Sequence, residues 1–478
     1  MTTERAWVSS PVRGARRPRT SVADRLEALP FGRFHRNFLL MVTAGEFVET
    51  MMLLGNGVLL ALVASVLHFS PAVATWAIPV AFFAGEFVGS ILSGQIADRF
   101  GRKAVFNYDL LVFAVGMIVA GFMKSPALVG IFIFIAGLGV GGEFPVVDAY
   151  TTEMFPGKDR GRRMATVYTL AVLAAPLIAA LAWAVSHPTA GYYSWRALFW
   201  FIGVCGFVVW VIRFRVPESP RWLEAQGRPE EAHEVVNGFS DTAAASSPVP
   251  PSAAAETRDG AGASAASTPG PMRASRRSPL ARIFGPDIRG RTTMMLIFQF
   301  FQSGIFYGFT TLAPLFLLHK GISLVHTLVF SMVIYGGFFV GSLFSVFTID
   351  KIERKWGIVA TAILSGVLGT AFAAASNITA TVILGFLTTF MLWQFSNFLH
   401  TYQAEIFPTD VRTTAAGTVY SISRISTALW VYVLGTLLLP VGILASFGLI
   451  WLFIIIIAID IAVFGPRSSR LAVEEIAA

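Results

Sequence analysis

Charge is scarce in this chain. Of its 478 residues only 13% are charged, against about 25% in soluble globular domains. Cysteine is scarcer still: Cys205 stands alone inside an apolar run, which excludes an intrachain disulfide and a metal site of cysteine type. No Walker pattern occurs, so transport driven by nucleotide hydrolysis has no support. No nucleophile–base pair, metal-ligand cluster or cofactor motif stands out, and the chain does not read as an enzyme. The N-terminus is polar and Arg-rich, without a short apolar core and small-residue cleavage site, so the first apolar run is expected to serve as the targeting signal.

What is abundant is apolar sequence, at 55%. It falls into twelve runs at roughly 37–67, 73–97, 104–123, 127–151, 163–186, 195–215, 291–318, 324–348, 357–375, 378–402, 412–438 and 443–464. Each is near ~20 residues or longer, enough to cross a ~30 Å hydrocarbon core as a helix. Strands of a membrane barrel would be about ten residues long and alternating. The fold class is therefore an all-α polytopic membrane protein with twelve transmembrane helices. Residues 1–36 read as a basic tail, 37–215 and 291–464 as two six-helix units, 216–290 as a linker and 465–478 as a second tail. From Gly238 to Ser278 the linker is Ala, Ser, Pro and Gly with scattered charge, which cannot bury a core. A short amphipathic helix is expected before it, from Glu224 to Val236.

The net charge of +8 comes from 36 Lys and Arg against 28 Asp and Glu. All the cations but Lys124, Arg196, Lys320 and Arg424 are read in alternate connections or at the termini. This positive-inside pattern places both termini in the cytoplasm. It accounts for the excess without nucleic acid as a partner; the partner is the lipid bilayer.

The landmark is the turn Gly94-Gln-Ile-Ala-Asp98-Arg99-Phe-Gly101-Arg102-Lys103, wedged between two apolar runs. A degenerate copy, Asp350-Lys351-Ile-Glu353-Arg354-Lys355, follows 252 residues on. Glu153…Pro156…Arg160 returns as Glu405…Pro408…Arg412 at the same offset of 252. Two motifs sharing one offset indicate a duplicated chain. Asp98 and Arg99 can pair across the interface between the halves, as a gate. Glu153 and Glu405 are expected to form salt bridges with Arg residues such as Arg160 and Arg412.

Gly94 to Lys103 resembles the loop 2–3 signature of the major facilitator superfamily. Glu153…Pro156…Arg160-Gly-Arg162, Pro217-Glu-Ser-Pro-Arg-Trp-Leu223 and Glu405…Pro408…Arg412 look like markers of its sugar-porter and metabolite:proton symporter branches. Two departures stand out. Ala136 opens the glycine-rich fourth span where sugar porters usually have Arg. Glu46 and Glu49 lie where aromatic-acid symporters usually have two aspartates. The resemblance implies two six-helix bundles around a central cavity, alternating access by rocking, and an Asp98 facing the start of the eleventh helix, where a carboxylate suits the helix dipole.

Acids inside the apolar runs are the candidates for proton coupling: Glu46 and Glu49, on one helical face at i, i+3, with Glu143 and Asp148 in the fourth span. A charge at the bilayer centre costs at least about 2.5–3.5 kcal/mol, so such acids must be paired, hydrated or protonated. Glu86, between Gly85 and Gly89, is expected in close helix packing. The positions 252 residues after Glu46, Glu49, Glu86 and Glu143 are Phe298, Phe301, Phe338 and Phe395, so titration is expected in the first half. Gln299 and Gln302, with Trp393, Asn397 and His400, are substrate-cavity candidates or ordinary helix–helix hydrogen bonds. Arg424, the lone cation within a second-half span, suits a substrate carboxylate or an acid across the cavity. Gly137-Leu-Gly139-Val-Gly141-Gly142 reads as helix packing, since no strand precedes it. The expectation is a monomeric, proton-coupled importer of a small organic metabolite, with an organic or aromatic acid favoured. The alternatives are a sugar or polyol symporter, a drug or cation exporter, or a non-transporting receptor on the same fold.

Overall fold

The computed structural model of the protein describes residues 31–67, 70–155, 166–186, 194–244, 282–349, 351–407 and 412–468, with Val22, Arg25, Leu26 and Arg163 besides. Among the described residues there is no strand, and twelve helices are long and apolar enough to cross a membrane.

The first six are α1 (Arg33–Leu67), α2, α3 (Arg102–Phe122), α4 (Pro126–Met154), α5 and α6 (Ser194–Arg213). Helix α2 runs through Pro71–Thr75, a widened π turn at Trp76–Val80 and Ala81–Phe100. Pro79 lies inside that turn, where its missing N–H breaks the regular ladder. Helix α5 spans Thr166–Val185 with its regular part at Ala174–Val185. Its break at Val172 and Leu173 precedes Pro176, which cannot donate back to Val172.

Two short helices follow, α7 (Pro220–Ala225) and α8 (Pro229–Ala244). The second half has α9 (Arg289–His319), α10 (Leu324–Thr348), α11 (Arg354–Ala374), α12 (Ile378–Ile406), α13 (Arg412–Tyr432, continued by a π segment at Val433–Leu438) and α14 (Ile443–Phe464). Lipid-facing sides carry apolar groups, as Leu452, Ile455 and Ile459 of α14 do.

Close approach of α2 and α4 depends on glycine. A Cβ at Gly85 or Gly89 would lie 2.2 Å from the Phe134 or Leu138 carbonyl oxygen, and one at Gly137 or Gly141 would lie 2.2 Å from that of Phe82 or Glu86. The two halves meet where α1 crosses α9, α2 crosses α13 and α5 crosses α10. At the first crossing a Cβ on Gly57 would stand 2.2 Å from the Thr311 carbonyl oxygen.

Three expectations are corrected. Helix α1 starts at Arg33, before residue 37. The surface helix divides into α7 and α8, because Ser219 caps the first through Trp222 N and Gly227, at φ 74°, turns the chain before Pro229. Helix α8 then continues past Gly238 to Ala244. Phe239 carries it on, buried and stacked on Phe34 at 3.8 Å, while Arg25 donates to Asn237 at 2.6 Å. The rest of the low-complexity stretch, 245–278, lies outside the described residues.

Candidate functional site

Polar groups gather in four places. The first is inside the first bundle. Glu46 and Glu49 of α1, Asp109 of α3, Glu143 of α4 and Arg213 of α6 are all buried. Arg213 donates to Glu143 through Nη1 at 3.1 Å and Nη2 at 2.5 Å, and to the Phe106 carbonyl at 3.2 Å. Its guanidinium lies 3.8 Å from the Phe106 ring centroid. Gly45 makes the room: a Cβ there would sit 1.5 Å from Arg213 Nη2. Neither oxygen of Glu49 has a hydrogen-bond partner among the described residues. An ionised carboxylate left so in a membrane interior is costly, so a proton on Glu49 suits this geometry.

Arg213 was expected in a connection, but it is the last residue of α6 and fully buried, because its side chain folds inward onto Glu143. That bidentate partner ties Glu143 to a structural ion pair. Asp109 was missed altogether. The signal was a lone acid within the third apolar run, close enough to the basic turn to pass for part of it.

The second place is between the bundles. Arg424 Nη1 lies 3.4 Å from Glu86 Oε2 and donates to the Tyr307 hydroxyl at 2.9 Å. The guanidinium is also 4.4 Å from the Tyr420 ring centroid. Glu86 and Arg424 are 1% and 2% exposed. Glu86 was expected to serve helix packing. Its neighbours Gly85 and Gly89 do that, and their spacing turns the carboxylate toward α13.

The third is a set of amides in the second bundle. Gln302 donates to Gln299 at 2.7 Å, Gln299 to Gln403 at 2.6 Å, and Gln403 to the Ala416 carbonyl at 3.4 Å. Asn397 donates to Ser345 at 2.6 Å. Trp393 packs 5.6 Å from Phe338 and 6.4 Å from Phe306, centroid to centroid, and its indole N–H has no partner among the described residues. His400, further along α12, is exposed.

The fourth place is the end carrying the basic turns. Gly101 adopts φ 101° and passes so close to Glu218 that a Cβ would lie 2.1 Å from Oε2. Glu218 Oε1 accepts from the backbone N–H groups of Arg102 at 3.0 Å and Lys103 at 3.2 Å, which caps α3. Arg102 Nε lies 3.5 Å from Glu153 Oε1. Ser219 donates to Glu153, and Tyr150 to the Pro217 carbonyl. The second half repeats the arrangement. Arg354 Nε lies 3.3 Å from Glu405, Ser468 donates to Glu405 at 2.6 Å, and Tyr402 to the Pro466 carbonyl at 3.0 Å. One exchange separates the copies. Glu353 stands where Gly101 was and accepts from Ser468 N at 3.0 Å, while Arg467 takes the place of Glu218.

Glu153 and Glu405 therefore meet Arg102 and Arg354. Arg160 and Asp350 lie outside the described residues, as do the side chains of Asp98, Asp148 and Arg412. Arg99 is exposed and lies 5.3 Å from the ring centroid of its neighbour Phe100, and no cross-bundle partner of it stands among the described residues.

Comparison with known proteins agrees with this architecture. A family model described as the Major Facilitator Superfamily matches residues 42–430. The chain is 26% identical over 412 residues to the niacin transporter NiaP of Acinetobacter baylyi, covering 84% of this chain and 87% of that protein. It is 24% identical over 459 residues to the inner membrane metabolite transport protein YdjE of Escherichia coli, covering 95% and 98%. Among solved structures it resembles the inward-open xylose transporter XylE from E. coli, with TM-score 0.67, 16% identity and coverage of 92% and 98%.

Proposed function

The chain belongs to the major facilitator superfamily and is a metabolite transporter, and from that premise we propose that it imports a small organic anion together with protons. The anion is an aromatic or dicarboxylic acid. The observation that carries this reading is Arg424, a buried cation at the seam of the bundles, ringed by Tyr307 and Tyr420. A guanidinium offers a planar fork to a carboxylate, and phenol rings suit a planar body. Niacin, named for the Acinetobacter baylyi relative, is an acid of that kind.

Proton coupling is supported by two sets of membrane-buried acids, Glu46 and Glu49 beside the Glu143–Arg213 pair and Glu86 beside Arg424. The basic end faces the cytoplasm of a cell membrane, as the distribution of Lys and Arg favours, and the chain acts as a monomer. The repeated Arg–Glu–Ser locks keep each bundle rigid while the two rock, and Asp98 and Arg99 engage the opposite bundle only in the other access state.

A sugar or polyol is the second reading, favoured by the Gln299, Gln302 and Gln403 amides and Asn397. Proteoliposomes holding the full chain distinguish the two. An inward proton gradient should drive uptake of nicotinate, benzoate or succinate, and collapsing the gradient with a protonophore should abolish it. Gradient-driven uptake of xylose with none of the three acids would reverse the order of the readings.

A further inference from the structure

The acids of the first bundle gather around Arg213, inside one bundle. Glu86 is different. It is an α2 carboxylate whose cation, Arg424, belongs to α13 of the other bundle. The cation proposed to receive the substrate is therefore already held by a carboxylate of the protein. A second anion cannot share that guanidinium without placing two like charges side by side, which is strongly unfavourable away from water.

We propose that Glu86 is the proton site that opens Arg424 to a substrate carboxylate, so that one proton and one anion bind together by dissolving a single cross-bundle ion pair. No covalent bond changes. The proton goes to Glu86, and the substrate carboxylate takes the place of the Glu86 carboxylate on the guanidinium. This rests on the reading of Arg424 as the anion receptor and adds how proton and anion are linked. It also supplies a mechanical consequence, because the pair spans the α2–α13 contact on which the bundles must slide.

The surroundings favour this carboxylate over its rivals. Helix α13 contributes Arg424 and Tyr420, and α9 contributes Tyr307. His400 of α12 is exposed and lies within the field of Arg424. Helix α4 meets this stretch of α2 with the backbone of Gly137 and Gly141, and its Glu143 is held by Arg213. From α3, Asp109 turns toward Gly142, and from α1, Glu46 and Glu49 lie near Arg213. Glu86 Oε2, the oxygen facing Arg424, has no hydrogen-bond partner among the described residues, so no donor besides the guanidinium would hold it ionised there.

The test is nicotinate binding to the full chain in nanodiscs between about pH 6 and 8, where an acid of ordinary carboxylate strength, near ~4, stays ionised. Benzoate and succinate serve as further probes. Wild-type affinity should rise as pH falls, approaching tenfold per pH unit above the titration of Glu86, the slope of a one-proton linkage. Glu86→Gln should bind at all pH values with nearly constant affinity, and Arg424→Gln should lose binding about 100-fold. Infrared difference spectra of the wild type, independent of any variant's folding, should gain a protonated carboxylic C=O band when nicotinate is added at pH 8.

An unchanged pH slope in Glu86→Gln, or no gain of that band in the wild type, overturns the inference and leaves the anion site standing. Equal affinity in wild type and Arg424→Gln, or no binding of any of the three acids, overturns the anion reading and the inference with it.

Discussion

The two bundles share a plan and differ in what fills it. In the first, Glu46 and Glu143 flank Arg213 in a buried charge cluster. In the second, the positions 252 residues later are Phe298 and Phe395, whose rings lie 6.0 Å apart. Glu86, which reaches across to Arg424, is replaced in the repeat by Phe338, which packs on Trp393 and Tyr335. At the basic end the opposite holds. The Arg–Glu–Ser lock and the Tyr–carbonyl bond recur in both halves, with Gly101 and Glu218 exchanged for Glu353 and Arg467. Duplication kept the clamps and let the interior diverge, one half toward charge and the other toward rings and amides. This is the division of labour expected if protons are handled by the first half and the body of the substrate by the second.

The sharpest way to break the comparison is at the ion pair. Arg213→Met strands Glu143 without its partner, and loss of one member of a buried pair costs about 3–5 kcal/mol. The melting temperature of the purified protein should fall accordingly, and Glu143→Leu added to Arg213→Met should recover most of the loss. If the single variant melts like the wild type, the first bundle is not organised around this pair. A step smaller is Gly45→Ala, which pushes a methyl into the guanidinium and should cost about 1–3 kcal/mol as an overpacking change. The same substitution at Ile297, its repeat position, meets no cation and should show no such loss beyond the trimmed side chain.

Glu49→Gln tests chemistry rather than stability. The neutral isostere should keep a melting temperature near that of the wild type, yet lose roughly tenfold of gradient-driven uptake, a barrier change of about 1.4 kcal/mol. Phe301→Leu, its counterpart in the repeat, should leave the proton dependence intact. Smallest are the clamps. The Arg102–Glu153 and Arg354–Glu405 pairs are partly exposed, so Arg102→Gln and Arg354→Gln should each cost no more than about 1 kcal/mol. Clearly unequal losses in matched melts would show that the repeat kept its geometry but not its energetics.

Much of the fold was legible because hydrophobic length is a direct physical requirement of crossing a bilayer. The 252-residue offset made the clamps findable too, since Glu153 and Glu405 were singled out as ion-pair partners before their cations were known. The cations that meet them among the described residues, Arg102 and Arg354, were not named as their partners, while Arg160 and the Arg412 side chain lie outside the described residues. Arg160 and Arg412 are close in sequence, whereas Arg102 and Arg354 arrive from another helix, and a one-dimensional reading favours near neighbours. The same bias hid the rest of the site. Arg213 sits at a span end, where a cation ordinarily fixes topology, and only the packing of α6 against α3 shows it turned inward. Glu86 finds its partner in the other half of the chain, so no periodicity within α2 could reveal it. The glycines beside it were read correctly as packing, and that reading was extended one residue too far.

The central claim is that an organic acid and protons cross together through the seam marked by Glu86 and Arg424. The most direct measurement is the nicotinate gradient at which net nicotinate flux reverses in proteoliposomes, taken at several fixed pH gradients. The account predicts a reversal that moves with the proton gradient at a fixed proton-to-anion ratio of at least about one, as linkage requires. A reversal set by the nicotinate gradient alone, unmoved by the proton gradient, would contradict it.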